Sequence, residues 1–284
     1  MANSFLTIKE IARQALPRLI ENLVFPNLIH KDFSNDFVPG KGATIQVRKP
    51  IVLTANDFTG TVTPSDVTEG SVDVTLNKLA TVDVAFSALE RATNVDSLNR
   101  LFIEPAAVAL AEKINTDGLA LLKTSGIPSI AADAASLEPF SLAASKLSKA
   151  KVPMVPRNAV WSPDAEASFR TVPAIVNAEK SGSTEALRNG SIGKIFGLDN
   201  YMAQGVDSTA MLGAAFAPTA FAFVTRPLVA PAGVESYTTS YNGITLRVCR
   251  GYDMTTKTEM LSMDVLYGYT VLDKQRAVVV TAKS

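Results

Sequence analysis

The chain holds one histidine, His30, and one cysteine, Cys249. A lone imidazole cannot build a His-rich metal site, and no HExxH, CxxC or GxxxxGKS/T pattern occurs. His30 stands in PNLIHKDF beside Lys31 and Asp32, where a solvated or hydrogen-bonded surface role is expected rather than catalysis. Cys249 has no second thiol for an intrachain disulfide, which fits a reducing compartment, and it reads as a small buried hydrophobe. Two Ser-x-x-Lys spacings, Ser148 with Lys151 and Ser191 with Lys194, match a hydrolase in which a desolvated lysine activates the serine. The first pair falls at the lysine-rich end of an expected helix and the second in a glycine-flanked turn. Neither place desolvates a lysine. Carboxylates are plentiful, but no pair is marked out as an acid/base couple. The expectation is therefore a non-enzyme, with no catalytic residue, no metal and no cofactor.

Charge narrows the partners. Lys plus Arg number 27 and Asp plus Glu 27, so no global field draws the chain to nucleic acid or to an anionic membrane. Arg157 with Lys149 and Lys151 reads as one mild basic patch, and Arg48 with Lys49 as another. Aromatic residues are not interleaved with them as base-stacking platforms require. Lys9, Glu10 and Arg13 stand where a signal peptide would need its apolar run. The longest apolar stretch, Ala210 to Val224, is broken by Pro218 and Thr219 and falls short of the roughly 20 residues a spanning helix needs. A soluble, intracellular protein is expected. At 47% hydrophobic residues over 284 positions, it can bury the core of one large domain or two small ones.

The elements that would position any site can be read from pattern. Thr7-Ile8-Lys9-Glu10 is a capping box. Ile8, Ile11, Ala12, Ala15, Leu16, Leu19, Ile20 and Leu23 then follow helical spacing, with Pro17 inside as a predicted kink. This helix docks either on its own core or, as an arm, on a neighbour. A long helix is predicted near FIEPAAVALAEKINTDGLALLKTSG, with Pro105 opening or kinking it and Gly126 and Pro128 ending it. A third runs near Ser141 to Ala150, its Lys146 and Lys149 suiting the helix dipole. Ala159 to Trp161 reads as a short buried strand, Ser162 as the cap of the next helix and Pro163 as its first residue. NGSIGKIFGLDNYMA reads as a turn and a glycine-interrupted strand, and Ile244 to Val280 as further strands. The order gives an α+β chain.

Between the first two helices, GATIQVRKP is a strand ending in Arg48 and Lys49. Val72, Val74 and Leu76, and then Val82, Val84 and Phe86, also alternate with polar residues. The intervening TANDFTGTVTPSDVTEG is too polar to be core. A long two-stranded projection with a polar, mobile tip is expected. From 51 to 90 it carries Lys78 against Asp57, Asp66, Glu69, Asp73, Asp83 and Glu90, so it is acidic above a basic root. An isolated ribbon is marginal in water and its edges are a liability, so a partner subunit is its economical cover.

MANSFLTIKEIARQALPRLIENLVFPNLIHKDFSNDF resembles the N-terminal arm of tailed-phage major capsid proteins of the P-twenty-two coat-protein type. GATIQVRKP resembles that family's strand into its extended loop. LATVDVAFSALERATNVDSLNRLFIEPAAVALAEKINTDGLALL resembles the returning strand and spine helix. LSKAKVPMVPRNAVWSPDAEASF and LRNGSIGKIFGLDNYMAQGV are similar to its central blocks, and AAFAPTAFAF and RVCRGYDMTTKTEMLSMDVLYGYTVLDKQRAVVV to its closing ones. The resemblance covers nearly the whole chain in the family's order.

It implies the Hong Kong 97-type capsid fold: an N-terminal arm (1–41), an extended β-loop (42–92), a peripheral domain with the spine helix (93–150), and an axial domain with returning strands (151–284). It implies a coat protein without enzyme activity that assembles as hexamers and pentamers into an icosahedral procapsid enclosing double-stranded DNA. Portal protein, DNA held without sequence specificity and no membrane complete its setting. The expected location is the virion capsid, assembled in the host cytoplasm. The chain departs from the type member between Phe223 and Leu246, where a short link replaces an inserted domain. No long scaffold-like segment precedes the arm, so a separate scaffolding protein, or none, is expected. Arg48, Lys49, Asp57, Asp66 and Glu69 are the candidate intersubunit contacts. Two rivals stay open: the shell of a bacterial cargo compartment sharing this fold, and a serine hydrolase.

Overall fold

A computed structural model describes residues 8–31, 43–48, 70–87, 103–176, 192–255 and 258–283. Helix α1 (Ile8–Asn22) buries Ile8, Ala12, Ala15, Leu16 and Leu19, one apolar stripe at helical spacing, and runs through Pro17. Helix α2 (Glu104–Leu119) carries Pro105 in its first turn, where a missing N–H leaves no bond unmade. Its Ala106, Ala107, Leu110, Ala111 and Ile114 are buried. A short 3₁₀ turn (Ala120–Lys123) continues it, and Gly126, at φ 89°, turns the chain onward.

Five strands form an antiparallel sheet: β3 (Lys78–Ser87), β9 (Phe221–Arg226), β10 (Glu235–Tyr241), β11 (Ile244–Asp253) and β12 (Thr258–Val271). The order is β10-β11-β12-β3, and β9 pairs with the last part of β12, residues 266–271, on the side opposite β3. Helices α1 and α2 pack together, and α1 lies across β10 and β11. This is the first core, where Phe25 meets Phe216 and Phe221 at ring separations of 5.5 and 5.7 Å. The N-terminal helix thus docks on its own chain.

A six-stranded sheet runs β4 (Ser129–Ala132), β13 (Ala277–Ala282), β8 (Gly213–Phe216), β5 (Asn158–Trp161), β7 (Leu198–Met202), β6 (Lys194–Ile195). It is mixed: β4 lies parallel to β13, and β5 parallel to β7. With α3 (Glu138–Lys149), α4 (Pro163–Phe169) and α5 (Pro173–Val176) it encloses the second core. There Phe140, Trp161 and Phe169 form a triangle of rings 4.6–5.0 Å apart. Ser162 caps α4 by accepting the Ala165 N–H at 3.2 Å. Residues 129–149, expected on the peripheral side of a boundary at 150, belong to this second core because Ala132, Phe140, Ala143 and Leu147 face Trp161 and Phe169.

Three expectations are corrected. The short link after Phe223 contains a strand, β10, which turns into β11 at Asn242 and Gly243, both at positive φ (52° and 72°). Two such residues in succession make the tight turn whose twist suits a hairpin. The glycine-interrupted strand is likewise a hairpin, β6–β7, turning at Phe196 (φ 48°) and Gly197 (φ 79°). Finally, β3 leaves the projection and pairs with β12 along its 10 residues, because its half-apolar pattern fits a sheet edge better than a free ribbon.

Candidate functional site

The projection begins as β1 (Thr44–Arg48) and β2 (Ser71–Thr75), antiparallel, with Thr44 opposite Thr75 and Arg48 opposite Ser71. Leu76 N–H donates to the Ala43 carbonyl at 2.8 Å and closes the root. Alternation decides which face is covered. Val74 and Leu76 are buried against Ala222 and Val224, with Ile45, Val47, Leu266 and Leu272 around them. So the root is covered by its own chain, where a partner subunit was expected. β2 crosses β12 at Gly268, where an added Cβ would lie 1.9 Å from the Thr75 carbonyl oxygen. Thr270 Oγ1 donates to the Asp73 carbonyl nearby at 3.3 Å. Of the candidate contacts, Arg48 is placed by its backbone pairing, while Lys49, Asp57, Asp66 and Glu69 lie outside the described residues.

A polar latch ties the returning strand to α2. Asp117 accepts the Tyr267 hydroxyl at 2.6 Å and pairs with Lys113 at 3.0 Å and with Lys78, the first residue of β3, at 3.2 Å. Burial by itself raises the Asp117 pKa, but these donors outweigh it and hold the carboxyl below its ordinary value. Burial and the Asp117 carboxylate together push the Tyr267 phenol up. Tyr269, partly buried beside it, donates to the Ile114 carbonyl at 2.9 Å. Further along the sheet, Arg247 grips the buried Asp264 at 2.5 Å across β11 and β12, and Arg250 pairs with Glu259. Apart from Lys113–Asp117, an i,i+4 pair within α2, each pairing spans two strands or a strand and a helix, so sequence spacing alone did not reveal it.

Arg157 is not part of a basic patch. It is 1% exposed, and its guanidinium donates to the carbonyls of Pro153 (2.8 Å), Val152 (2.5 Å) and Ala144 (3.2 Å) and to Ser148 Oγ (3.1 Å). A rigid fork of donors ties the Ala144 carbonyl and the Ser148 hydroxyl of α3 to the Val152 and Pro153 carbonyls, and so fastens the 152–156 loop to that helix. The loop presents Met154 and Val155 to solvent, close to the exposed Phe196 turn.

The Ser-x-x-Lys pairs are used structurally where they are described. Ser148 Oγ accepts from Arg157, and Lys194 pairs with Asp199 at 3.3 Å; Ser191 lies outside the described residues. His30 acts through its backbone: its N–H points to the carbonyls of Pro218 and Phe221, and its carbonyl accepts from Phe223 at 2.9 Å. Cys249 is buried, and that burial raises its thiol pKa. Among the described residues no group of His, Cys, Asp and Glu is arranged to hold a metal, and no helix is long and apolar enough to cross a membrane.

No family model matches the chain, nor does any curated protein. Solved structures do. The chain is similar to a structure from Mycobacterium phage Che8 with a TM-score of 0.70 at 19% identity, over 91% of this chain and 90% of that one. It is similar to the capsid structure of cyanophage P-SCSP1u with a TM-score of 0.61 at 15% identity, over 86% and 84%. A virus-like particle from Pyrococcus furiosus gives 0.55 at 13% identity, over 96% and 98%. At such identities the likeness is one of fold. The chain has the α+β, Hong Kong 97-type fold of phage capsid proteins.

Proposed function

We propose that this chain is the major capsid protein of a tailed bacteriophage, of the P-twenty-two coat-protein type, assembling as hexamers and pentamers into an icosahedral procapsid that encloses double-stranded DNA. The observation that carries this is the reach of the fold match. It spans 91% of this chain and 90% of the phage protein, so the likeness takes in the chain as a whole and not one part of it. In this reading residues 1–41 are the N-terminal arm and 42–92 the extended loop, whose returning strand β3 joins the five-stranded layer. The five-stranded layer with α2 is the peripheral domain, and the six-stranded layer with α3 the axial one.

The physics of assembly suits the composition. Copies that pack edge to edge are not driven apart when 27 basic and 27 acidic residues cancel. Each contact can be weak because many act together. DNA on the inner wall would be held without sequence preference and in a salt-sensitive way. A separate scaffolding protein and a portal protein are the expected assembly partners, and the host cytoplasm the place of assembly. Arg48 and Lys49 meet Asp57, Asp66 or Glu69 of an adjacent loop across the subunit boundary, which sets register and encounter rate more than affinity.

The test is electron microscopy of the recombinant chain, alone and with its scaffolding protein, after size-exclusion chromatography. Closed shells of even size are expected; a monomer in both conditions overturns the reading. A cargo-compartment shell is the second reading, favoured by the likeness to the virus-like particle over 96% and 98% of the two chains. Mass spectrometry of purified shells separates the two: nucleic acid and scaffold for a capsid, a bound enzyme for a compartment.

A further inference from the structure

Among the described residues, the five-stranded sheet has an open edge at β10. Among the described residues, β10 pairs with β11 on one side and no backbone hydrogen bond reaches its other side. The turn at Asn242-Gly243 fixes which groups are stranded. Tyr241 and Ile244 flank a two-residue turn, so they form a hydrogen-bonded pair, and by alternation so do Thr239 with Leu246 and Tyr237 with Val248. The N–H and C=O groups of Ser236, Thr238 and Ser240 therefore point outward. Free edges are normally blunted by lysine, proline, a bulge or extreme shortness. The strand reads ESYTTSY, 7 residues with no lysine and no proline and with strong β-formers at its centre. Exposed apolar side chains surround it: Tyr241 is 70% exposed and Val229, in the preceding loop, 85%.

We propose that β10 is a two-fold assembly contact, pairing antiparallel with β10 of a second copy about a centre at Thr238. The choice of a second copy rests on the shell reading above and on the strand's own symmetry. Centred on Thr238, Ser236 faces Ser240 of the second copy, and Thr238 faces its equivalent. These are the residues whose groups point outward, so every outward donor and acceptor on both strands finds a partner in one register. The side chains agree. Tyr237 falls opposite Thr239, an aromatic against a β-branched residue. Glu235, the one charge in the strand, falls opposite Tyr241, so no like charges meet. Such a self-complementary patch is what a two-fold contact requires. Joining two five-stranded sheets this way protects an edge that would otherwise recruit chains at random.

Cysteine cross-linking tests the register. With Cys249→Ala removing the single natural cysteine, Thr238→Cys places thiols on opposed residues about 5.5 Å apart at Cα, inside the disulfide range of about 4.4–6.8 Å. On oxidation it should give a covalent dimer about tenfold over Ser236→Cys alone, whereas Ser236→Cys mixed with Ser240→Cys should give dimers again. Thr238→Pro is a thiol-free second test. It deletes an outward N–H, and with it the long Thr238 Oγ1 bond to the Leu228 carbonyl (3.5 Å), but leaves the β11 ladder intact, so shell yield should fall several-fold with an unchanged circular dichroism spectrum, while Thr238→Val, which loses only the side-chain bond, should keep normal yield. Shells that form normally with Thr238→Pro, or that show no excess dimer at Thr238→Cys, overturn the pairing and leave the capsid reading standing. Specific dimers from a chain that never closes shells, with scaffold present, uphold the pairing and overturn the capsid reading.

Discussion

Gly268→Ala tests whether the crossing of β2 over β12 fixes the root of the extended loop. The added methyl would sit 1.9 Å from the Thr75 carbonyl oxygen and 3.2 Å from Leu76 Cα, both backbone atoms that no rotamer change can move. The two strands must part by roughly 1 Å, which is overpacking of the kind that costs about 1–3 kcal/mol. For a chain of this size the melting temperature should fall by roughly 2–10 °C. The displacement also strains the Thr270–Asp73 bond and the packing of Val74 against Ala222 and Val224, so the direction in which the loop leaves the body should change. Differential scanning calorimetry of the unassembled chain reads the first effect, and shell yield by size exclusion and electron microscopy reads the second. Gly251→Ala is the control: on β11, its Cβ meets nothing within 4 Å, and it should leave stability within about 0.5 kcal/mol of wild type. A Gly268→Ala chain that melts with wild type and forms normal shells would refute the argument that the close crossing positions the loop.

Arg157→Met keeps much of the stem but strands the carbonyls of Ala144, Val152 and Pro153, so a loss of about 3–4 kcal/mol is expected in the urea midpoint. Arg157→Lys should recover little of it, because one ammonium cannot span that fork; an unchanged midpoint in either variant contradicts the staple. The folded pKa of Asp117 is depressed, so its contribution is full above the unfolded value of about 3.9 and is lost as pH falls through the folded value. Asp117→Asn should therefore narrow the melting-temperature gap to wild type on acidification from pH 6 to about 3, and a gap that stays constant counts against the latch. Reversing Arg48 and Lys49 to Glu together should lower shell yield with the fold intact. Each exposed pair is worth about 0–1 kcal/mol, but the loss repeats at every copy. Normal shells from that double variant remove the charge proposal.

Much of the architecture was legible in the sequence because its signals are local. The apolar stripe of α1, Pro105 and Pro163 in first turns, and the Ser162 cap are decided by residues within a turn or two of one another. The ordered blocks that resemble phage coat proteins led to the fold that the solved structures share. The candidate site was less legible. Arg157 reads as a surface base beside Lys149 and Lys151, and nothing in its neighbours reveals that α3 folds back to cover it. β10 looks like a link because Ser and Thr dominate it, and its strand character comes from the turn at Asn242-Gly243 and from β11.

The sequence by itself determined the helices, most of the strands, the neutral charge and the alternation that buries Val74 and Leu76. Tertiary structure alone decided which strands meet. β3 joins β12 across residues 78–87 and 258–267, the Asp117 latch unites Lys78, Lys113 and Tyr267, and β10 is left at an edge. The reason is physical: a helix or a cap is specified by contacts a few residues apart. A sheet's order, and so its open edge, depends on closing long loops whose ends no local pattern names.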